Sequence, residues 1–146
     1  ELIGYSYLNK EGKDLPMIPI KKETAKIVSY FANGKKSREM EVVNGDFEGA
    51  YLTYYYTGQI HREMVYKNDK LEGLETTYYP SGAIYKKENY ILDSYDGKVT
   101  EYHKNGKVKK DTDYVLGKKH GTSISYSDKG VVLSKEKYFD GNLIFD

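Results

Sequence analysis

The chain has no cysteine and no tryptophan, and only three prolines and three histidines among its 146 residues. Without cysteine there are no disulfides and no thiol nucleophile, which is compatible with either redox compartment. Charge of one sign is missing as well. Lys and Arg number 23 against 22 acidic residues, a formal +1, so no global field selects nucleic acid or a membrane surface, and charge-based binding must be local. No run approaches the roughly 20 apolar residues of a membrane helix, and no signal peptide is visible, so an integral membrane role is not expected. Glu1 stands where Met would, pointing to an upstream segment removed by processing or truncation. The expected protein is soluble, either cytoplasmic or exported with its signal segment removed.

Motifs of chemistry are missing too. His61, His103 and His120 lack the paired spacing that zinc requires. Asp93-Ser94-Tyr95-Asp96-Gly97 has two Asp at the wrong offset for a calcium loop and reads as a turn. The pairs Gly34-Lys35, Gly97-Lys98 and Gly106-Lys107 are followed by no Ser or Thr that would complete a phosphate loop. No Gly-x-Ser-x-Gly elbow is present, and acids are too frequent for a carboxylate pair to carry meaning. The expectation is no enzyme, with no catalytic residue, no metal and no cofactor.

What is present is a repeat. Gly34, Gly58, Gly82, Gly106 and Gly130 follow one another at 24-residue intervals, each preceded four positions earlier by Tyr30, Tyr54, Tyr78, Tyr102 or Tyr126. Two further phases, Gly45, Gly117 and Gly141 with Asp69 and Asp93 substituting, and Gly49, Gly73, Gly97 and Gly121, mark turns where positive φ is needed. Between them lie runs rich in Tyr, Thr, Val and Ile, such as 50–56 and 59–67, which read as strands. Asn33-Gly34, Asn44-Gly45 and Asn105-Gly106 are hairpin dipeptides. The expected fold is all-β: an elongated, twisted single antiparallel β-meander built from about five 24-residue β-hairpin repeats. Residues 1–25, with Pro16, Pro19 and a hint of a degenerate hairpin at Tyr7 and Gly12, form an N-terminal cap. Residues 26–146 form the array.

Stacked repeats turn equivalent positions into rows. Tyr66, Tyr90, Tyr114 and Tyr138, begun by Val42, and the aliphatic Ile60, Ile84, Val108 and Val132 are the candidate core. With 38% hydrophobic residues, 31% charged and a negative mean hydropathy, that core is thin. Two rows are candidate binding surfaces. Phe31, Tyr55, Tyr79 and His103 follow the tyrosine phase and would be a platform for a protein partner if exposed on a sheet face, because tyrosine joins contact area to a polar tip. Arg38, Arg62, Lys86 and Lys110 would form a basic stripe for anionic phospholipid, diluted by Glu39, Glu63, Glu88 and Glu136. Nucleic acid is not an expected partner; a homodimer through open sheet edges is.

Tyr54-Tyr55-Tyr56-Thr57-Gly58-Gln59-Ile60, Tyr66 and the turn 68–73 resemble the MORN repeat in its bacterial variant form, as do Tyr78-Tyr79-Pro80-Ser81-Gly82-Ala83-Ile84 and Tyr102-His103-Lys104-Asn105-Gly106-Lys107-Val108. The resemblance covers about residues 26 to 145. It implies one β-hairpin per unit, and association with membranes or phosphoinositides, protein scaffolding or dimerisation. It also brings an inherited label, antitoxin of a toxin–antitoxin pair. Some relatives place such an array before a catalytic domain, an arrangement not expected here, where the array occupies nearly the whole of the sequence.

Overall fold

The computed structural model describes residues 4–5, 12–13, 18–19 and 24–144. Among them there is no helix; every element is a strand, and the strands pair antiparallel. The chain divides into two compact units, 1–70 and 71–146. The first holds β1 (Gly4–Tyr5), β2 (Ile18–Pro19), β3 (Ala25–Tyr30), β4 (Lys36–Val43), β5 (Asp46–Tyr54) and β6 (Ile60–Lys67), and the two-residue β7 (Lys70–Leu71) follows. The second holds β8 (Gly73–Tyr78), β9 (Ile84–Ile91), β10 (Ser94–Tyr95), β11 (Gly97–Tyr102), β12 (Val108–Val115), β13 (Lys118–Tyr126), β14 (Val132–Phe139) and β15 (Asn142–Ile144). In each unit the strands run as a meander of hairpins, as the repeat implies. Near the N-terminus β1 pairs β2 in a separate ladder, Gly4 opposite Pro19. Tyr7 and Pro16, like the array's last residues Phe145 and Asp146, lie outside the described residues.

Two kinds of turn alternate. At the hairpin tips the glycine of the Gly34 series donates its N–H to the carbonyl three residues back, as Gly58 does to Tyr55 at 2.8 Å, while Tyr55 N–H reaches Gln59 O at 2.8 Å. The glycine takes φ +96° at Gly58, and the ladder slips by one residue there, between Thr53 and Tyr54; this is a type I turn closed by a glycine bulge. Between copies, Asn44-Gly45, Asn68-Asp69, Leu92-Asp93, Leu116-Gly117 and Asp140-Gly141 have positive φ at both residues, the signature of two-residue type I′ turns. The third glycine phase is not a turn. Gly49 and Gly121 sit inside β5 and β13, where the register slips between Met40 and Val42 and between Thr112 and Tyr114, so these glycines make bulges that bend a continuous strand.

Register then shows where the core lies. In the first unit Ile27 stands opposite Met40, Met40 opposite Tyr51 and Tyr51 opposite Met64. Ile27, Met40, Met64 and the neighbouring Val42 are buried, with Phe47 and Tyr51 packed against them. The aromatic row joins this core through the contacts of Tyr66 with Phe47 and Tyr51, at 5.8 and 5.5 Å between centroids. The aliphatic row does not: Ile60, Ile84 and Val108 are only half-buried and Val132 is exposed, each being the first residue of its strand just after a tip. In the second unit the corresponding core row is Glu75 opposite Glu88, then Val99, Thr112, Ser123 and Glu136 in successive register. All but Glu136 are buried.

Candidate functional site

Phe31, Tyr55, Tyr79 and His103 do not line a sheet face. Each is the first residue of a hairpin tip, accepting from the tip glycine and donating to the residue after it, and each is half-buried. Strand alternation predicts a face for residues inside a strand; these lie just beyond one, where the turn redirects the side chain. In the second unit two of them tether copies together. The Tyr79 hydroxyl donates to Tyr102 O at 2.9 Å, and His103 Nε2 meets Tyr126 O at 2.9 Å. Tip residues reach forward in the same way: Asn33 Nδ2 donates to Tyr56 O at 2.8 Å and Lys35 Nζ to Thr57 O at 2.6 Å. The first unit keeps more ring surface open at its tips. Tyr30 and Tyr56 are 48% and 59% exposed, and tilted ring pairs join Phe31 to Tyr56 at 5.4 Å and Tyr55 to His61 at 4.5 Å between centroids. Burial, with Arg62 adding to it, holds the His61 imidazole below its usual pKa. An open trough beside these rings is lined by Tyr30, Lys35, Lys36, Tyr54 and Gln59.

The basic row shares the face of the core row, since Arg38 and Met40, or Lys86 and Glu88, are two residues apart on one strand. In the first unit Arg38 and Arg62 stand on either side of Thr53. In the second, Lys86 and Lys110 stand on either side of Glu101. Lys86 is drawn inward: its ammonium lies 2.8 Å from Glu88 Oε1 and 5.6 Å from the centre of the Tyr95 ring. Burial pulls its pKa down, but the bond to Glu88 and the pull of that carboxylate leave it raised overall.

Acids form two hydrogen-bonded centres that the repeat pattern does not announce. On the opposite face of the first unit, buried Glu39 accepts from Lys36 Nζ and, at 2.8 Å, from the Tyr54 hydroxyl. The Lys36 and Tyr54 bonds hold the Glu39 carboxyl below its ordinary pKa, while burial and Glu39 push Tyr54 up to about 12. In the second unit Glu88 Oε1 accepts from Lys86 and, at 2.5 Å, from Tyr95, with Tyr90 at a long 3.5 Å. Burial, then its bond to Tyr95, drives the Tyr90 phenol well above its usual range. Both carboxylates are enclosed by donors, which suits structure rather than proton transfer. Among the described residues no three His, Cys, Asp or Glu side chains are grouped to hold a metal, and no helix is long and apolar enough to cross a membrane.

A family model described as the MORN repeat variant matches residues 47–68, 71–91 and 95–115. The matches fall on three successive copies of the 24-residue unit. No curated protein matches the chain.

Proposed function

We propose, from a chain that carries MORN repeat variants across residues 47–115, a non-enzymatic protein-binding or scaffold module. Such repeats serve as protein- or membrane-binding modules, and the local chemistry here favours protein. The observation that carries this reading is the aromatic tip end of the first unit, where Tyr30 and Tyr56 expose about half of their surface beside Phe31 and Tyr55. Exposed tyrosines that keep little conformational freedom are what protein interfaces enrich. The lipid reading through Arg38, Arg62, Lys86 and Lys110 is weaker in the second unit, because Glu101 divides Lys86 from Lys110 in the ladder and Lys86 is bonded to Glu88.

The test is capture of a partner from the native source by wild-type protein and by Tyr55→Ala/Tyr79→Ala and Tyr30→Ser/Tyr56→Ser variants, each shown by circular dichroism to be folded. A partner captured by wild type and lost in the tip variants is the expected result. Tyr79→Phe separates contact from tethering, since it removes only the bond to Tyr102 O. Equal capture by all variants overturns the aromatic tip. Salt-sensitive sedimentation with anionic but not neutral vesicles would move the reading to lipid.

A further inference from the structure

The type I′ turns between copies place their first residue at φ 54, 48, 48, 47 and 49°. At that φ a side chain's Cβ crowds the following carbonyl, which Asn and Asp tolerate better than other residues. Asn44, Asn68 and Asp140 meet the requirement; Leu92 and Leu116 do not. Both leucines are also open to solvent, 67% and 72% exposed, so packing within the chain does not explain them. Each is held in place by a carboxylate on its own N–H: Glu72 for Leu92 at 3.0 Å and Asp96 for Leu116 at 3.1 Å. Ile91 and Val115 are exposed beside them. The second unit thus carries an apolar ridge at its turn end, the opposite end of its hairpins from the tips. The ridge is bordered by Glu72, Asp93 and Asp96, while the nearby Lys118 is neutralised by Asp140 at 2.7 Å.

We propose that the Leu92–Leu116 ridge is a second docking surface, taking a cationic amphipathic helix of a partner protein. The turns of Leu92 and Leu116 are two strand spacings apart, roughly 10 Å, and seven residues of α-helix advance about 10.5 Å. A helix with apolar residues seven positions apart sets one against each leucine. The bordering carboxylates select lysine- or arginine-rich flanks and disfavour an anionic membrane. This inference rests on the protein-binding reading but uses different residues.

The probe is a labelled helical Lys/Leu peptide of about 18 residues with leucines at seven-residue intervals, titrated by fluorescence anisotropy. A peptide of the same composition with scrambled spacing is the control. Leu92→Asn/Leu116→Asn is the test variant, and it keeps the fold because Asn44 and Asn68 occupy the same turn position. Wild type binds the spaced peptide; the variant, and the scrambled peptide with wild type, bind at least about tenfold more weakly. No binding, or binding indifferent to both changes, overturns the proposal, as does leucine-dependent binding to phosphatidylcholine vesicles without peptide binding. The Tyr55→Ala/Tyr79→Ala variant keeps its peptide affinity. If the ridge fails while that variant still loses its captured partner, the module reading stands alone; if the peptide binds and tip capture is unchanged, the ridge stands and the aromatic tip falls.

Discussion

Ile27, Met40, Tyr51 and Met64 in the first unit and Glu75, Glu88, Val99 and Thr112 in the second occupy the same places 48 residues apart, and Ile27 and Glu75, like Met40 and Glu88, are buried alike. One row is apolar, closed by the Phe47, Tyr51 and Tyr66 rings. The other is polar. Glu88 is bonded to Lys86 and Tyr95, and Thr112 to Ser123 at 3.1 Å. The difference teaches that in a thin repeat sheet the backbone ladder and turns set the fold, while the core row can be filled by either chemistry, the polar filling being held by bonds such as those of Glu88 and Thr112. At the places of Ile27 and Met40 burial recurs in the second unit while the side chain that meets it changes to Glu75 and Glu88.

The comparison is broken most severely by exchanging the fillings. Met40→Glu puts a carboxylate where Glu88 sits, with Arg38 standing where Lys86 does, but with Phe47 in place of Tyr95. Deprived of the closest donor, the variant should lose about 3–4 kcal/mol in urea unfolding. Adding Phe47→Tyr restores that donor and should recover about 1 kcal/mol. A loss below about 1 kcal/mol for Met40→Glu alone would show that the place, not its partners, tolerates charge.

The converse exchange is expected to be smaller. Glu88→Met leaves the half-buried Lys86 ammonium and the Tyr95 hydroxyl without their acceptor, costing about 2–3 kcal/mol. Lys86→Met/Glu88→Met removes both charges and should return most of it, because an apolar pair of similar volume replaces a buried ion pair without penalty. Chemical denaturation of the single and double variants gives the coupling directly.

Much of this comparison was hidden in the sequence, for a physical reason. The 24-residue period, the hairpins, the Asn44-Gly45 turn and the turn roles of Asp69 and Asp93 were legible because backbone φ constrains residue type. The Tyr66, Tyr90, Tyr114 and Tyr138 row was legible because it keeps one side-chain type. The central row was not, since Ile27, Glu75, Val99 and Ser123 are buried and Tyr51 half-buried without sharing any chemistry, and a search for recurring residue types passes over them. The aromatic tip row was found as a row, but its direction was not, because a bulge at each tip breaks the strand alternation that would have given it. Leu92 and Leu116 were not singled out from the sequence, because only the φ angles and exposure show what departing from Asn44 and Asn68 at that position entails.

Acid exposes a third difference. In the first unit Glu39 is held below its ordinary pKa by Lys36 and Tyr54. Its contribution is therefore present above the ordinary carboxylate value of about 4.3 and lost as pH falls through the lower folded value. In the second unit the place of Glu39 is taken by Lys87, and Asp113, lowered overall because its bonds to Thr122 and Lys98 outweigh its burial, supplies the acid dependence instead. Glu39→Gln should cost about 1–2 kcal/mol at neutral pH, and the gap to wild type should close in acid. Hydrogen exchange should place the change in β3 to β6 and leave the Asp113 region with its wild-type slope; a uniform change in both units would deny them separate acid responses.

The smallest effect has the opposite sign. Leu92→Asn gives the second unit the turn residue that Asn68 supplies in the first, at the same φ of 48°. Relief of the left-handed strain should raise stability by about 0.5–1 kcal/mol, with the Glu72 bond to its N–H retained. Leu116→Asn should behave alike, and the two should add, since the turns share no partner. A gain in stability on removing these leucines means that the folded chain keeps them against its own conformational preference, and what offsets that strain must then lie outside the chain, on whatever covers the ridge. If either substitution instead destabilises, the leucines are packing residues and the second unit's turns differ from the first unit's only in sequence.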